Sequence, residues 1–207
     1  QKFQITRRKF VTSKGFFMAK LIDSLDQLLP SFEQWYAHDH GPNEDYYSKT
    51  ITRNSLSQLS DSKFINFFVN FRRDGGLIQS GGERGILKFE EMISSKIQDF
   101  RNHILQPFQR DFDIATWVEN IRNFPQWGFG IATIYLVRVN KKTFAVLNNK
   151  SIKALNLLGF SNISYPNLNT YLYVLDIQKS LMSMYPQINN YYKADALCHY
   201  IIGEKEG

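Results

Sequence analysis

The sequence predicts a mainly α-helical protein with little or no sheet. Apolar residues recur at helical spacing through most of the 207 positions, as they do in amphipathic helices. Glycine, proline, asparagine and aspartate stand between these stretches, where helices usually begin and end. The one short extended apolar run, Phe144–Leu147, is too small to build a sheet of its own.

The first half of the chain predicts five helical segments. Pro30 interrupts the first of them and predicts a kink or a break there. The second, over residues 44–57, has a weaker pattern, and the segment His38–Asn43 is expected to stop the helix before it. The segments cover residues 19–37, residues 44–57, a stretch capped by Ser60 or Asp61 and ended by residues 74–76, residues 86–106, and a stretch capped by Asp113 that ends at Ile121.

The second half predicts four more helices. Asn148 or Asn149 caps one that Gly159 closes, and Asn167 or Asn169 opens the next. Residues 141–143 form a turn before the extended run. The expected helices cover residues 131–139, residues from the Asn148 or Asn149 cap to 158, residues from the Asn167 or Asn169 cap to about 185, and residues 191–202, closed by Gly203.

Charge divides the chain into a basic start and a neutral body. Of the 25 lysines and arginines, six come before any acidic residue, which leaves 19 basic against 19 acidic side chains from residue 21 onward. We therefore expect residues 1–17 to be a basic extension, either disordered or foreign to the natural chain. Residues 18–207 are expected to form one helical domain, with two lobes on a shared core as the alternative. Net charge alone therefore does not indicate nucleic-acid binding.

Composition excludes several classes. No apolar run approaches the roughly 20 residues needed to cross a bilayer, so we expect no membrane segment. The single cysteine, Cys198, cannot form an internal disulfide and lies in an apolar helical pattern, which favours a buried thiol in a reducing, cytoplasmic compartment. The pair His38 and His40 lacks further ligands at metal-binding spacing, so a solvated loop is favoured over a zinc site. We expect no cofactor and no metal.

A Gly-x-Gly turn gives the clearest functional signal. Trp127, Gly128, Phe129, Gly130 and Ile131 lead from a Phe-Pro segment into an apolar helix. Glycines let the backbone approach a ligand closely, and the unpaired N–H groups of a helix start attract an anion. The pattern predicts a phosphate site that needs no lysine patch, with the indole of Trp127 available to stack on a base. A tight corner between two helices is the alternative interpretation.

Residues 124–158 resemble the helix-hairpin-helix unit of DNA glycosylases, and we place such a unit at about 113–158. The resemblance implies that the backbone of Gly128, Gly130 and Ile131 binds a DNA phosphate. The same alignment puts Ala132 where bifunctional glycosylases have an attacking lysine and Asn148 where they have a catalytic aspartate. Asparagine has no carboxylate to activate water, so a glycosylase mechanism at these positions is not expected. Asn148 and Asn149 can also simply cap the next helix.

A second resemblance spans roughly residues 60–207. Its glycine and apolar positions look like the segment before the motor domain in modification-dependent restriction ATPases and GTPases of the McrB type. It implies a specificity module that finds modified DNA, with a C-terminal motor domain beyond residue 207 and a separate nuclease subunit. The stretches that carry it are Phe71, residues 75–82, residues 127–133, residues 147–155 and residues 190–197.

Arginines beside a glycine-rich loop form a further candidate DNA contact. Arg72 and Arg73 precede a segment with five glycines in residues 75–85, and Arg84 lies within it. Guanidinium forks suit phosphates, although arginines are also favourable at a solvated helix end.

The candidate DNA-binding set combines these arginines with the turn and the start of the next helix. We therefore expect a non-catalytic DNA-binding module for a restriction or defence system, with an unconventional glycosylase or lyase and a helical protein-interaction domain as alternatives. The set comprises Trp127, Gly128, Phe129, Gly130, Ile131, Asn148, Asn149, Lys150, Arg72, Arg73 and Arg84.

Overall fold

The computed structural model describes residues 14–75, 82–160, 163–164 and 166–206. Within them the protein is mainly α-helical and contains no strand, as the sequence predicts. The basic residues 1–13 and most of the glycine-rich segment, residues 76–81, lie outside the described part. The helices are α1 Lys14–Asp39, α2 Gly41–Thr50, α3 Arg53–Ser57, α4 Asp61–Asn70, α5 Gly82–Ser95, α6 Ile97–Leu105, α7 Ile114–Asn120, α8 Phe129–Val139, α9 Asn149–Leu157, α10 Leu168–Met184 and α11 Tyr191–Glu206.

Three short helical segments join these elements. A π-helical turn, Phe71–Gly75, continues α4, and 3₁₀ turns at Gln106–Phe108 and Ile121–Asn123 follow α6 and α7. Each directly follows the helix before it in the chain.

Helix α1 continues through Pro30, so the expected break is absent. Leu29 and Phe32, on either side of the proline, are 4% and 0% exposed. Burying such side chains is worth about 1.5–3 kcal/mol each, which offsets the roughly 3 kcal/mol that an internal proline costs.

The predicted helix over residues 86–106 is divided in two. Lys96 leaves the helical region, with φ −128° and ψ 34°, and α6 begins at the next residue. The Nζ atom of Lys96 donates to the carbonyl of Asn123 at 2.9 Å. Phe89 on α5 and Phe100 on α6 are both fully buried, so each of the two helices contributes an aromatic ring to the core.

The segment His38–Asn43 stops α1 at Asp39, as predicted, and it also begins the next helix. Helix α2 begins at Gly41 with a proline in its first turn, where the missing N–H of proline is harmless. The weak helix predicted over residues 44–57 is two helices, and Thr52 caps the second by accepting from the backbone N–H of Ser55 at 3.1 Å. Gly203 likewise lies inside α11 rather than at its end.

Several predicted caps are confirmed. The carboxylate of Asp113 accepts from the N–H groups of Ala115 and Thr116 at the start of α7. Asn167 opens α10 through the N–H of Thr170. Gly159 follows α9 with a φ of +86°, a conformation that glycine adopts without strain.

The buried side chains form one cluster that extends from Leu25 to Ile202. Its centre is aromatic: the rings of Phe68, Phe100, Trp127 and Tyr135 pack at centroid distances of 5.2–5.9 Å. The hydroxyl of Tyr135 donates to the carbonyl of Ile104 at 2.7 Å, so this polar group is satisfied within the core. This core holds the N-terminal end of α8 in place.

The extended run Phe144–Leu147 is buried although it belongs to no sheet. Side-chain hydroxyls take the place of a neighbouring strand. The N–H of Ala145 donates to the hydroxyl of Tyr171 at 3.2 Å, and the N–H of Leu147 donates to that of Thr133 at 3.1 Å. The connection from α8 to α9 is thereby fixed by α8 and α10.

Candidate functional site

The N-terminus of α8 is open and has no side-chain cap. Gly128 is the N-cap residue, with φ −65° and ψ 166°, and no side chain among the described residues caps this end of the helix. A Cβ atom built on Gly128 would meet no atom within 4 Å. The first N–H groups of a helix have no partner inside it, so those of Phe129, Gly130 and Ile131 are available to an acceptor from outside. This end can accommodate an anion.

The turn that exposes this helix end is anchored from below. Gln126 adopts a φ of +70°, which is unusual for a residue with a side chain, and the N–H of Trp127 donates to the carbonyl of Phe124 at 3.0 Å. The indole of Trp127 is 0% exposed and lies parallel to the ring of Phe89, 5.7 Å away. Trp127 therefore fixes the turn from inside the core, and the expectation that it stacks on a base is not met, because a fully buried ring has no free face.

Arg72 approaches the same turn from the π-helical segment. One guanidinium nitrogen, Nη2, donates to Oε1 of Gln126 at 3.3 Å, and the group lies over the ring of Phe89. Arg72 is only 3% exposed, and within the described residues its Nε and Nη1 have no hydrogen-bond partner. Burial lowers the pKa of this guanidinium from its usual value. Arg72 thus supports the turn from the core side. Both sequence interpretations, a phosphate contact and a solvated helix end, require an exposed arginine, and Arg72 fits neither.

The other two arginines lie on the surface. Arg73 forms an exposed ion pair with Glu83, with 2.8 Å between Nη2 and Oε1, and Arg84 is exposed in the first turn of α5. Exposed pairs of this kind contribute about 0–1 kcal/mol, so Arg73 can exchange Glu83 for a phosphate at little cost.

The beginnings of α8 and α9 lie side by side. A Cβ atom on Gly130 would be 3.4 Å from the Cβ of Asn148, which leaves little room for a larger residue. Asn148 caps α9, accepting from the N–H of Ser151 at 2.9 Å while the Ser151 hydroxyl accepts from the N–H of Asn148 at 2.8 Å. Asn149 is exposed and Lys150 is half-buried in the first turn of α9. The two groups of residues predicted from separate parts of the sequence therefore meet here.

A buried polar cluster lies behind Asn148. The Nδ2 atom of Asn148 lies 3.5 Å from Oδ1 of Asp195 on α11, and Oδ2 of Asp195 lies 3.7 Å from Nε2 of His199. The ring of His199 meets that of His40 with 5.6 Å between centroids. His40 is 7% exposed, so it is part of the core and not of a solvated loop. We name Asn148, Asp195, His199 and His40 the α11 polar cluster.

Burial dominates the protonation of the α11 polar cluster. It raises the pKa of Asp195 to about 7, although the positive charges of Arg138 and Lys150 oppose the rise. It lowers the pKa of His40 to about 3 and that of His199 to about 4. Both histidines are therefore neutral at pH 7, while Asp195 titrates near that pH. Among the described residues, no group of three or more histidine, cysteine, aspartate or glutamate side chains is arranged to hold a metal ion.

The sequence did not indicate the contact between Asn148 and Asp195, which are 47 residues apart. The local signal, an aspartate between two alanines in an apolar helix, indicates a buried acceptor for a hydroxyl or a helix end, and not an asparagine side chain on α9. Cys198, on the same helix, is buried as predicted.

Comparisons with known proteins identify no relative. No family model matches the chain, and searches of curated proteins and of solved structures find no similar protein. None of the described helices combines the length and apolarity required to cross a membrane.

Proposed function

We propose that this chain is a non-catalytic DNA-recognition module whose α8 N-terminus binds a backbone phosphate. The observation that carries the proposal is the uncapped start of α8 with open space at Gly128, because the first N–H groups of a helix have no partner inside it. The helix dipole adds an attraction for negative charge of about 0.3–1 kcal/mol. Lys150 and Arg73 can contact neighbouring phosphates from the exposed side of the same region.

The absence of catalytic groups at the resemblance positions supports a binding role. Ala132 is fully buried, and Asn148 is occupied in capping α9. Neither side chain can attack a sugar or activate water. The likeness to McrB-type restriction proteins extends the proposal: the module acts in the cytoplasm, selects modified or distorted DNA, and passes the signal to a motor domain and a nuclease subunit.

The test is fluorescence anisotropy on matched duplexes with and without modified cytosine or adenine, at two salt concentrations. Gly128→Asp places a carboxylate at the proposed phosphate position. Because its φ and the space around it suit a side chain, the variant should fold and gain a few tenths of a kcal/mol as a better N-cap. Repulsion between unit charges about 4 Å apart is about 1 kcal/mol in water and rises as the site dries. DNA affinity should therefore fall at least about fivefold.

Gly128→Ala is the matched control, since it adds a side chain without charge and leaves the N–H groups free. We expect it to bind DNA nearly as well as the wild type. Equal binding by the aspartate and alanine variants would contradict the phosphate site. Negligible, salt-independent binding by all three proteins would instead favour a protein-interaction domain, and release of a base from a damaged duplex would contradict the non-catalytic role.

A further inference from the structure

A buried carboxyl group, that of Asp195, is connected to the proposed phosphate site through a single side chain, that of Asn148. Gly130 in the first turn of α8 packs on Asn148, and the Nδ2 atom of Asn148 is 3.5 Å from Oδ1 of Asp195. Asp195 is 6% exposed. The Asn148 amide lies at the 3.5 Å limit of a hydrogen bond to Asp195, and Nε2 of His199 is 3.7 Å from the carboxyl. These two neighbours therefore stabilise an ionised Asp195 only weakly.

The charged and titratable groups around Asp195 come from several helices. Two are cations, and one of them, Lys150, stands in the first turn of α9 where it is also available to DNA. The two histidines of the cluster, His199 and His40, are neutral at pH 7 and add no charge. The groups that interact with Asp195 directly or through this cluster are Arg138 on α8, Lys150 on α9, Tyr192, Cys198 and His199 on α11, Asp39 at the end of α1, and His40 between α1 and α2.

An ionised Asp195 opposes DNA binding in two ways. Its charge repels a phosphate held at the start of α8, and it attracts the Lys150 ammonium that would otherwise serve the phosphate. Protonation removes both effects. Resting on the function proposed above, we infer that Asp195 regulates the phosphate site by taking up a proton when DNA binds.

The sign of the effect follows from the protonation of the free protein. Because the pKa of Asp195 is raised to about 7, the group is mostly neutral at pH 6 and mostly ionised at pH 8. A bound phosphate raises this pKa further, so binding takes up a proton and affinity falls as pH rises through this range. His199 and His40, with pKa values of about 4 and 3, do not titrate in it.

The experiment compares the pH dependence of DNA affinity in the wild type and in Asp195→Asn. Anisotropy titrations between pH 6 and pH 8 at constant ionic strength should show a several-fold loss of wild-type affinity. Asp195→Asn should show a flat profile and bind at pH 8 as tightly as the wild type does at pH 6. Asp176→Asn, which removes one negative charge from an exposed position on α10, should keep the wild-type profile.

Calorimetry supplies a second readout that a structural role would not move. Binding measured at pH 7 in buffers of different ionisation enthalpy should take up about a third to a half of a proton more for the wild type than for Asp195→Asn. An unchanged profile and equal proton uptake in Asp195→Asn would overturn the inference, and so would weaker binding by this variant at every pH. If Gly128→Asp still weakens binding at least about fivefold relative to Gly128→Ala in that case, the phosphate site stands and only the role of Asp195 fails.

Discussion

Replacing Asp195 by asparagine should stabilise the protein at neutral pH. Burial raises the pKa of this carboxyl from its usual value of 3.8 to about 7 in the folded protein. Between these values the unfolded chain has lost the proton and the folded chain has kept it, so the free energy of unfolding falls as pH rises. At about 1.4 kcal/mol per pH unit, the full effect is about 4 kcal/mol above pH 7. Asparagine has no carboxyl proton to lose, so the variant does not undergo this loss of stability.

The assay is urea unfolding of both proteins from pH 4.5 to pH 8, followed by circular dichroism. The variant should exceed the wild type by about 1 kcal/mol at pH 4.5 and by about 4 kcal/mol at pH 8, because the ionisation cost grows across that range. Asp176→Asn controls for net charge and should change stability by less than about 0.5 kcal/mol at each pH. A difference in the free energy of unfolding that stays constant with pH, or a variant less stable than the wild type at pH 8, would show that burial does not disfavour the ionised form of Asp195.

Two further outcomes test the neighbouring structure. Asn148→Ala removes the cap of α9 and should cost about 1 kcal/mol in thermal or urea unfolding, whereas Asn148→Ser keeps a capping oxygen and should cost less; equal losses would argue against the cap. His103 is buried, its ring nitrogens have no partner within the described residues, and burial lowers its pKa to about 3. Below pH 6.5 the unfolded chain binds a proton at His103 that the folded chain does not, so the free energy of unfolding falls as the pH falls toward about 3. His103→Phe should therefore raise the free energy of unfolding at pH 3.5 by about 4 kcal/mol. If the variant and the wild type lose stability equally on acidification, His103 is not a neutral buried histidine.

Local signals were sufficient for most of the helices. Apolar spacing and the caps Asp113, Asn148 and Asn167 predicted α7, α9 and α10, because a cap acts on the residues next to it in the chain. The break at Lys96 was missed, and at Pro30 only one of the two predicted alternatives, the break, is excluded, since both positions depend on which side chains the rest of the core buries. Tertiary packing outweighs local preference at such positions.

The part of the candidate site that the sequence predicts is the part formed by backbone groups. Gly128 and Gly130 indicated an open helix start from their spacing alone. The burial of Trp127 was not predictable, because an aromatic residue beside a turn can face either the core or the solvent. Arg72 and Asp195 act through partners far away in the chain, and no local pattern identifies such partners.

The buried run Phe144–Leu147 has a consequence for association between chains. Extended segments with free backbone groups are templates for a strand from another molecule, and proteins usually protect them with charges or bulges. Here the hydroxyls of Thr133 and Tyr171 already occupy the N–H groups of Leu147 and Ala145, and the segment is enclosed by helices. The chain thereby contains a strand-like connection that offers no edge for aggregation as long as α8 and α10 remain packed around it.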